Sequence, residues 1–434
     1  MNYQESLDFL FNALPMYQRV GSTAFKKDLS NTYKLCERLG HPQDKLKCIH
    51  IAGTNGKGST AHALASILQK EGYKTGLYTS PHLKSFRERI KINGREIPEK
   101  DVTDFVNSHQ SFLLALQPSF FEMTVALAFH YFEKEKVDFA CIEVGMGGRF
   151  DSTNVIKPLL SVITNIGLDH VSFLGNTLEK IAFEKAGIIK PRTPVVISQS
   201  QPETISVFRE KALQEGAPLH FADQEINVFY KGAIMEKGNL PKSKYELRFP
   251  NKAPVNIQLD LMGKYQEKNL PGIWKACEVL NQIGIPIKDK SILSGLETII
   301  SSTGLKGRWQ TLRINPLTIC DTGHNIDGFK FIIEQIKTIP YRKLSMVLGM
   351  VNDKDITSLL SLLPKNADYY FCQANLPRAM SAEQLKHDAE KFGLIGESIP
   401  DVNEALRKAL GFSGKKDLIF VGGSTYVVAE IEGL

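Results

Sequence analysis

Several things are missing from this sequence. No apolar stretch approaches the roughly eighteen residues that a bilayer-spanning helix needs, so a membrane protein is not expected. Residues 1–10 carry two acids and no basic residue, which is not a signal-peptide pattern. The six cysteines (36, 48, 141, 277, 320 and 372) form no Cys-x-x-Cys pair, and reduced thiols in a cytoplasmic protein are the simple reading. No dense Lys/Arg run is interleaved with aromatics, which argues against a nucleic-acid partner. The guanine motif Asn-Lys-x-Asp of GTPases is absent too: its nearest start, Asn251-Lys252, continues Ala253-Pro254.

What remains is an ordinary globular composition, with 434 residues, 42% hydrophobic and 23% charged. That length suits two or three domains. The formal charge of +6 fits small anionic substrates. The organising stretch is Ile51-Ala-Gly-Thr-Asn-Gly-Lys-Gly-Ser-Thr60. Lys47–Ile51 reads as a buried strand and Ala61–Lys70 as a helix, and a glycine-rich turn between them is the geometry that cradles a phosphate. Gly53, Gly56 and Gly58 allow a tight turn whose N–H groups approach an anion. Thr54 and Asn55 lie within that turn. Lys57 adds a point charge for the outer phosphates, and Ser59 or Thr60 offers a hydroxyl to Mg²⁺. The pattern departs from the common phosphate loop, which has glycine where this chain has Ile51 and Ser or Thr where it has Gly58.

Residues 1–46 read as helical, with a polar, basic loop around Tyr17–Lys27. Lys74–Thr79 is the second strand and Arg87–Ile97 a hairpin turning at Asn93-Gly94. Pro98–Gln117 and Ser119–Lys134 are helices. Val137–Val144 is a continuous apolar strand of the kind buried in a parallel sheet. It ends at Glu143, where an acid beside a phosphate loop is placed to hold a second Mg²⁺. Asp151 and Asn154 follow in the next loop. The strand Leu159–Asn165 leads to Asp169-His170, and an imidazole there can ligate a metal. Pro194–Gln199 is taken as the last strand of this sheet. Residues 220–262 alternate as a small antiparallel patch, and a helix runs from Gly263 to about Leu280. The Ser/Gly/Thr-rich segment 301–307 marks a linker between a domain over 1–300 and a second over 308–434. The second domain again alternates strand and helix. The expected fold class is therefore α/β: a doubly wound parallel sheet carrying the phosphate loop, followed by a smaller Rossmann-like α/β domain.

Gly53-Thr-Asn-Gly-Lys-Gly-Ser59 resembles the ATP loop of the Mur ligase superfamily, and its extra glycine resembles the folylpolyglutamate synthase and dihydrofolate synthase branch. Further segments carry the resemblance in order: Thr79-Ser-Pro-His82, Glu143–Arg149, Leu168-Asp-His170, Glu184-Lys-Ala-Gly-Ile188 and Asp321-Thr-Gly-His-Asn325. The resemblance implies that Ser80 and His170 are metal ligands alongside Glu143, and that Lys185 is carbamylated by CO₂. It implies nucleotide contacts from Asn269, Arg308, Asp321 and His324. Tyr265 and Lys306 stand where the family has histidine and proline. Gly349 with Asp353-Lys-Asp355 matches another family turn. For the acceptor it points to Arg19, Phe121 and Glu122, with Asp151 and Asn154. The implied reaction is ATP-driven amide formation between L-glutamate and dihydropteroate or folates, with two Mg²⁺ ions, by a monomer. The nearest alternative is a peptidoglycan Mur enzyme, which carries an extra N-terminal domain. Only about fifty residues precede Gly53 here.

Overall fold

The computed structural model describes residues 1–14, 28–234, 241–352 and 356–434. The chain divides into two compact units, Met1–Asp260 with Gln266–Gly304, and Leu261–Tyr265 with Leu305–Leu434.

The first unit opens with α1 (Tyr3–Ala13) and α2 (Ser30–Arg38). Then β1 (Cys48–Ala52) enters the phosphate loop and α3 (Lys57–Glu71) leaves it. The hairpin expected at Asn93-Gly94 joins β3 (Ile90–Ile92) to β4 (Arg95–Glu96), after β2 (Thr75–Tyr78). Both turn residues have positive φ, 47° and 74°, as a two-residue hairpin loop requires. The helices α4 (Glu99–Leu116) and α5 (Phe120–Lys134) precede β5 (Phe139–Glu143) and β6 (Leu160–Ile163). Next come the single turn α6 (Val171–Leu174), α7 (Leu178–Ala186), β7 (Val195–Ile197), α8 (Pro202–Glu215), β8 (Leu219–Phe221) and the turn α9 (Ala222–Glu225).

These strands form one eight-stranded sheet in the order β4-β3-β2-β5-β1-β6-β7-β8. It is parallel from β2 to β8, with β3 and β4 antiparallel at one edge. The sheet does not end at β7, as the sequence reading held. Leu219-His-Phe221 adds an edge strand too short to declare itself by alternation. β1 is central and buried throughout, since α3 covers it and β5 and β6 flank it. A separate antiparallel sheet of β9 (Asn227–Ile234), β10 (Lys242–Phe249) and β11 (Lys252–Leu259) forms the expected patch. Then α10 (Gln266–Gln282), α11 (Asp289–Glu297) and α12 (Ile299–Thr303) complete the unit.

The units divide inside the expected 301–307 segment, but its first three residues are helical. Ser301–Thr303 closes a helix, in which the Thr303 hydroxyl donates to the Ile299 carbonyl at 2.5 Å and Lys91 Nζ donates to the Thr303 carbonyl at 2.9 Å. Serine and threonine here bond back to their own helix instead of forming a flexible run. The units divide at Gly304/Leu305, and Leu261–Tyr265 belongs to the second unit.

The second unit is a six-stranded sheet ordered β12-β13-β17-β14-β15-β16. Its strands are β12 (Gln310–Arg313), β13 (Leu317–Cys320), β14 (Leu344–Leu348), β15 (Asp368–Phe371), β16 (Gly396–Ser398) and β17 (Leu418–Gly422). Only β12 runs antiparallel to its neighbour. Helices α13 (Ile326–Ile336), α14 (Ile356–Ser361), α15 (Ala382–Glu390), α16 (Val402–Gly411) and α17 (Thr425–Glu430) alternate with the strands. Among the described residues no helix is long and apolar enough to cross a membrane.

Candidate active site

The chain leaves β1 at Ala52 and turns at Gly53, whose φ is 145°. A Cβ at Gly53 would stand 1.8 Å from Thr164 Oγ1, so only glycine fits. The loop is zipped to the segment after β6. Thr54 N donates to the Asn165 carbonyl at 2.8 Å, and Asn55 N donates to Asn165 Oδ1 at 2.8 Å. Thr164 Oγ1 donates to the Asn55 carbonyl at 2.6 Å, while Thr54 Oγ1 both donates to the Gly167 carbonyl and accepts from Gly167 N. Gly56 (φ 88°) starts α3, and a Cβ there would lie 2.1 Å from Asn269 Oδ1. Asn269 thus lies against the mouth of the loop. Its amide donates to Gln266 Oε1 at 2.7 Å, and Gln266 Nε2 donates to Ser59 Oγ at 3.2 Å. Thr60 Oγ1 is buried without a hydrogen-bond partner.

The first-turn N–H groups of α3, from Lys57, Gly58 and Ser59, have no carbonyl one turn earlier in their own helix. With the helix dipole they make an anion seat. Two lysines brace the loop from its carbonyl side. Lys57 Nζ donates to the Thr54 carbonyl at 3.0 Å, and Lys185 Nζ donates to the Gly53 carbonyl at 2.8 Å. Lys185 is buried on α7, and burial together with the Lys57 charge pulls its amine down to about 7, against the pull of Asp169 and Asp151.

Strand order gathers the metal candidates. Ser80 follows β2, Glu143 ends β5, the phosphate loop follows β1 and His170 follows β6, and these four strands lie side by side in that order. Glu143 is buried, and its Oε2 accepts from Ser80 N at 3.1 Å. His170, at φ 50°, is partly exposed with Nε2 4.0 Å from Asp169 Oδ1. Among the described residues no group of three or more His, Cys, Asp or Glu side chains forms a ready metal cage. A carboxylate, an imidazole and serine or threonine hydroxyls around an anion seat fit a hard divalent cation that completes its shell with phosphate oxygens and water. Next to Ser80, His82 Nδ1 accepts from Arg89 Nε at 2.7 Å, and burial with the Arg89 charge pulls that imidazole down to about 3.

Other expected contacts find different employment. Glu122 is neither a bare carboxylate nor a surface one. It closes a capping box on α5, accepting from Ser119 N at 2.5 Å, with Asn31 Nδ2 at 3.4 Å. Phe121 packs at 6.3 Å from Tyr78, and a Cβ at Gly145 would strike its ring. Asp151 accepts from Met146 N at 2.8 Å and Thr153 N at 3.0 Å, and burial raises its carboxyl. Asn154 donates its amide to the carbonyls of Arg149 and Gly187. The expected acceptor-facing roles of Glu122, Asp151 and Asn154 thus compete with bonds already made inside the fold. Arg19 and the Asp353-Lys-Asp355 turn lie outside the described residues.

In the second unit Asp321 is buried at the end of β13. It accepts from Trp309 N at 2.7 Å, Gly323 N at 2.7 Å and Tyr265 Oη at 2.8 Å. Burial raises its carboxyl, and the nearby Arg308 charge opposes that. His324 Nδ1 stands 3.0 Å from the Thr322 carbonyl. Asp321 is thus held by three donors within the fold, with the Arg308 charge nearby. The partners that sequence reasoning left unassigned are Asn165, Thr164, Gln266 and Asp169. Asp169 stands inside the quoted Leu168-Asp-His170 motif, beside His170, and Gln266 lies one helical turn before Asn269.

Residues 51–272 match the Mur ligase middle domain, and residues 307–425 match the Mur ligase glutamate ligase domain. Dihydrofolate synthase/folylpolyglutamate synthase of Bacillus subtilis is 36% identical over 416 residues, covering 94% of each chain. The Escherichia coli protein of the same description is 31% identical, covering 96% of this chain and 93% of its own. The solved structure of E. coli FolC in complex with DHPP and ADP superposes with a TM-score of 0.84 at 29% identity, covering 99% of this chain and 96% of that one. A bifunctional folylpolyglutamate synthase/dihydrofolate synthase with Mn, AMPPNP and L-glutamate bound gives a TM-score of 0.82 at 27% identity, covering 99% and 97%. With both domains matched in order and nearly the whole length aligned, the chain belongs to the Mur ligase family, in its dihydrofolate synthase/folylpolyglutamate synthase branch of ATP-dependent glutamate ligases.

Proposed function

We propose that this protein joins L-glutamate to the carboxylate of dihydropteroate and of reduced folates, consuming ATP. The carrying observation is the phosphate loop braced by Lys57 on the strand between β5, which ends at Glu143, and β6, which leads to His170. Relatives solved with DHPP and ADP, and with Mn, AMPPNP and L-glutamate, support the same pairing of nucleotide, metal and acid.

The α3 N-terminus and Lys57 hold the β- and γ-phosphates. The acceptor carboxylate attacks the γ-phosphorus in line, the bond to the β–γ bridging oxygen breaks, and ADP leaves. The glutamate amine then attacks the acyl phosphate carbon, phosphate departs, and the amine proton passes to solvent. Mg²⁺, held by Ser59 or Thr60 near the phosphates and by Ser80, Glu143 and His170 near the acceptor, would neutralise charge as it develops. Arg308 and His324 are assigned to the nucleotide, and Phe121 to an apolar wall for the pterin.

Lys185 is carbamylated in the active protein. Its amine, drawn down to about 7, is substantially neutral at physiological pH. The neutral nitrogen attacks CO₂, an N–C bond forms and one proton leaves to solvent. The carbamate keeps one N–H, enough to retain the bond to the Gly53 carbonyl, and gains an anionic head that can orient a metal ligand.

The test is glutamate-dependent ADP release measured separately with dihydropteroate and with tetrahydrofolate. Release with both is expected. Release with tetrahydrofolate alone would reduce the function to folylpolyglutamate synthesis, and release with neither would overturn the assignment.

A further inference from the structure

The loop that leaves Glu143 is sewn to the last turn of α7, the helix that carries Lys185. Arg149 N donates to the Glu184 carbonyl at 2.8 Å. The Arg149 guanidinium grips the Glu184 carboxylate, with Nη2 at 2.7 Å and Nε at 3.3 Å. It also lies over the rings of Phe150 and Phe183, at 4.4 and 5.0 Å. Asn154 is 5% exposed, and its Nδ2 donates to two carbonyls at once, Arg149 at 3.0 Å and Gly187 at 3.1 Å. One of these carbonyls belongs to the loop and the other to the residue after α7. The Asn154 carbonyl in turn accepts from Lys190 Nζ at 3.0 Å.

The fit leaves no slack. A Cβ on Gly148 would lie 2.8 Å from the Glu184 carbonyl oxygen and 3.1 Å from that of Lys185. A Cβ on Gly187 would lie 2.4 Å from Arg149 Cα. Backbone therefore rests on backbone along the seam, next to the main chain of Lys185. At the other end of the side chain, Lys185 Nζ is held by the Gly53 carbonyl.

We propose that Asn154 is a positioning residue for Lys185, fixing the last turn of α7 against the loop that follows Glu143. This rests on the reading of Lys185 as a reactive amine. An amide suits the task because one NH₂ can donate to two carbonyls that would otherwise face each other. The surface pair of Arg149 and Glu184 reinforces the same seam. Both N–H groups of Asn154 are thus used within the protein, and its buried Oδ1 is the atom left without a partner.

The experiment uses the full chain with Asn154→Ala, Asn154→Ser and Glu184→Gln. Melting temperature, kcat and KM for each substrate, and activity against bicarbonate concentration are measured. The lysine carbamate signal is followed by NMR with ¹³C-bicarbonate. Losing a partner that orients a catalytic group typically costs about 10- to 100-fold. A kcat lower by about that factor is expected for Asn154→Ala, with KM for the acceptor within about twofold of the parent. Its carbamate signal weakens and its half-maximal bicarbonate concentration rises. Asn154→Ser, with one donor, falls between, and Glu184→Gln shifts the same way by less. A folded Asn154→Ala protein with parental kcat and bicarbonate dependence would overturn the proposal, as would a change confined to the acceptor KM. If Asn154→Ala does not fold, parental bicarbonate dependence in Glu184→Gln overturns it instead. A parent protein with no carbamate signal would sink the carbamate reading, and the seam is then judged on the kcat of the variants.

Discussion

Nζ of Lys185 donates to the carbonyl of Gly53 at 2.8 Å, across 132 positions of sequence. That bond joins a buried amine to the first residue of the phosphate loop. A second lysine, Lys57, braces the next carbonyl at Thr54. The Gly53 and Thr54 carbonyls therefore each meet a lysine amine, while the N–H groups of Thr54 and Asn55 are tied to Asn165. Burial, with the Lys57 charge adding to it, is why the Lys185 amine is held far below its ordinary value.

That depression has a consequence for stability. Between about 7, the native value, and the ordinary 10.5, the unfolded chain binds a proton at Lys185 that the native protein does not. Native stability therefore rises with pH through this window, and at lower pH the protein carries the full cost of a buried ammonium. At about 1.4 kcal/mol per pKa unit the difference is roughly 5 kcal/mol. Lys185→Met should thus gain stability relative to the parent at about pH 6 and lose most of that advantage by about pH 10. Denaturant melts of both proteins in CO₂-free buffer measure it. A constant difference across the range would mean that the amine is not depressed.

Glu143→Gln and His170→Ala should each raise the Mg²⁺ concentration for half-maximal activity and cut kcat by orders of magnitude, with little change in nucleotide affinity. Glu143 ends β5 and His170 follows β6, the two strands flanking β1, while the phosphate seat is built by the loop and α3. Metal titrations of the two variants that overlay the parent would place the metal site elsewhere.

Glycines, a lysine and long apolar strands announce themselves, and the phosphate loop, the parallel sheet and Glu143 at a strand end were legible in the sequence for that reason. Carboxylates do not declare what they accept. Glu122, Asp151 and Asp321 look like ligand groups in the sequence, yet each is occupied by backbone N–H donors. The signal for Glu122 was present, because Ser119 three residues earlier makes the capping box, but an acid among Phe and Met reads more readily as functional. Short edge strands such as β8 and β16 have no period long enough to detect. The seam at Asn154 is tertiary throughout and leaves no trace in local pattern.

Tyr265 stands where related sequences are expected to carry histidine, and its hydroxyl serves Asp321 at 2.8 Å. Tyr265→Phe removes that donor while Trp309 N and Gly323 N remain. The carboxyl of Asp321, already raised by burial, should rise further. A loss of about 1–3 kcal/mol is expected for a buried acceptor deprived of one partner. Chemical denaturation of the variant reads this directly, and an unchanged midpoint would show that the hydroxyl bond adds nothing to Asp321.

The last prediction concerns the contact between Gly56 and Asn269. An alanine at position 56 meets two separate penalties. Its φ of 88° disfavours any L side chain, at roughly 1–2 kcal/mol. Its Cβ would also stand 2.1 Å from Asn269 Oδ1, with two further Asn269 atoms within 3.1 Å. The second penalty depends on Asn269 and the first does not. Gly56→Ala alone should therefore destabilise by more than the backbone cost. Gly56→Ala combined with Asn269→Ala should recover the steric part, with a coupling within the range of about 0.5–3 kcal/mol found for residues in contact. Activity cannot report this, because Asn269 belongs to the mouth of the nucleotide loop and its loss harms turnover in any background. Denaturant midpoints of the parent, both single variants and the double variant close the cycle. Strict additivity would mean that the Asn269 side chain swings away at no cost, and that it is not packed onto the loop as its bonds to Gln266 and Ser59's partner network imply.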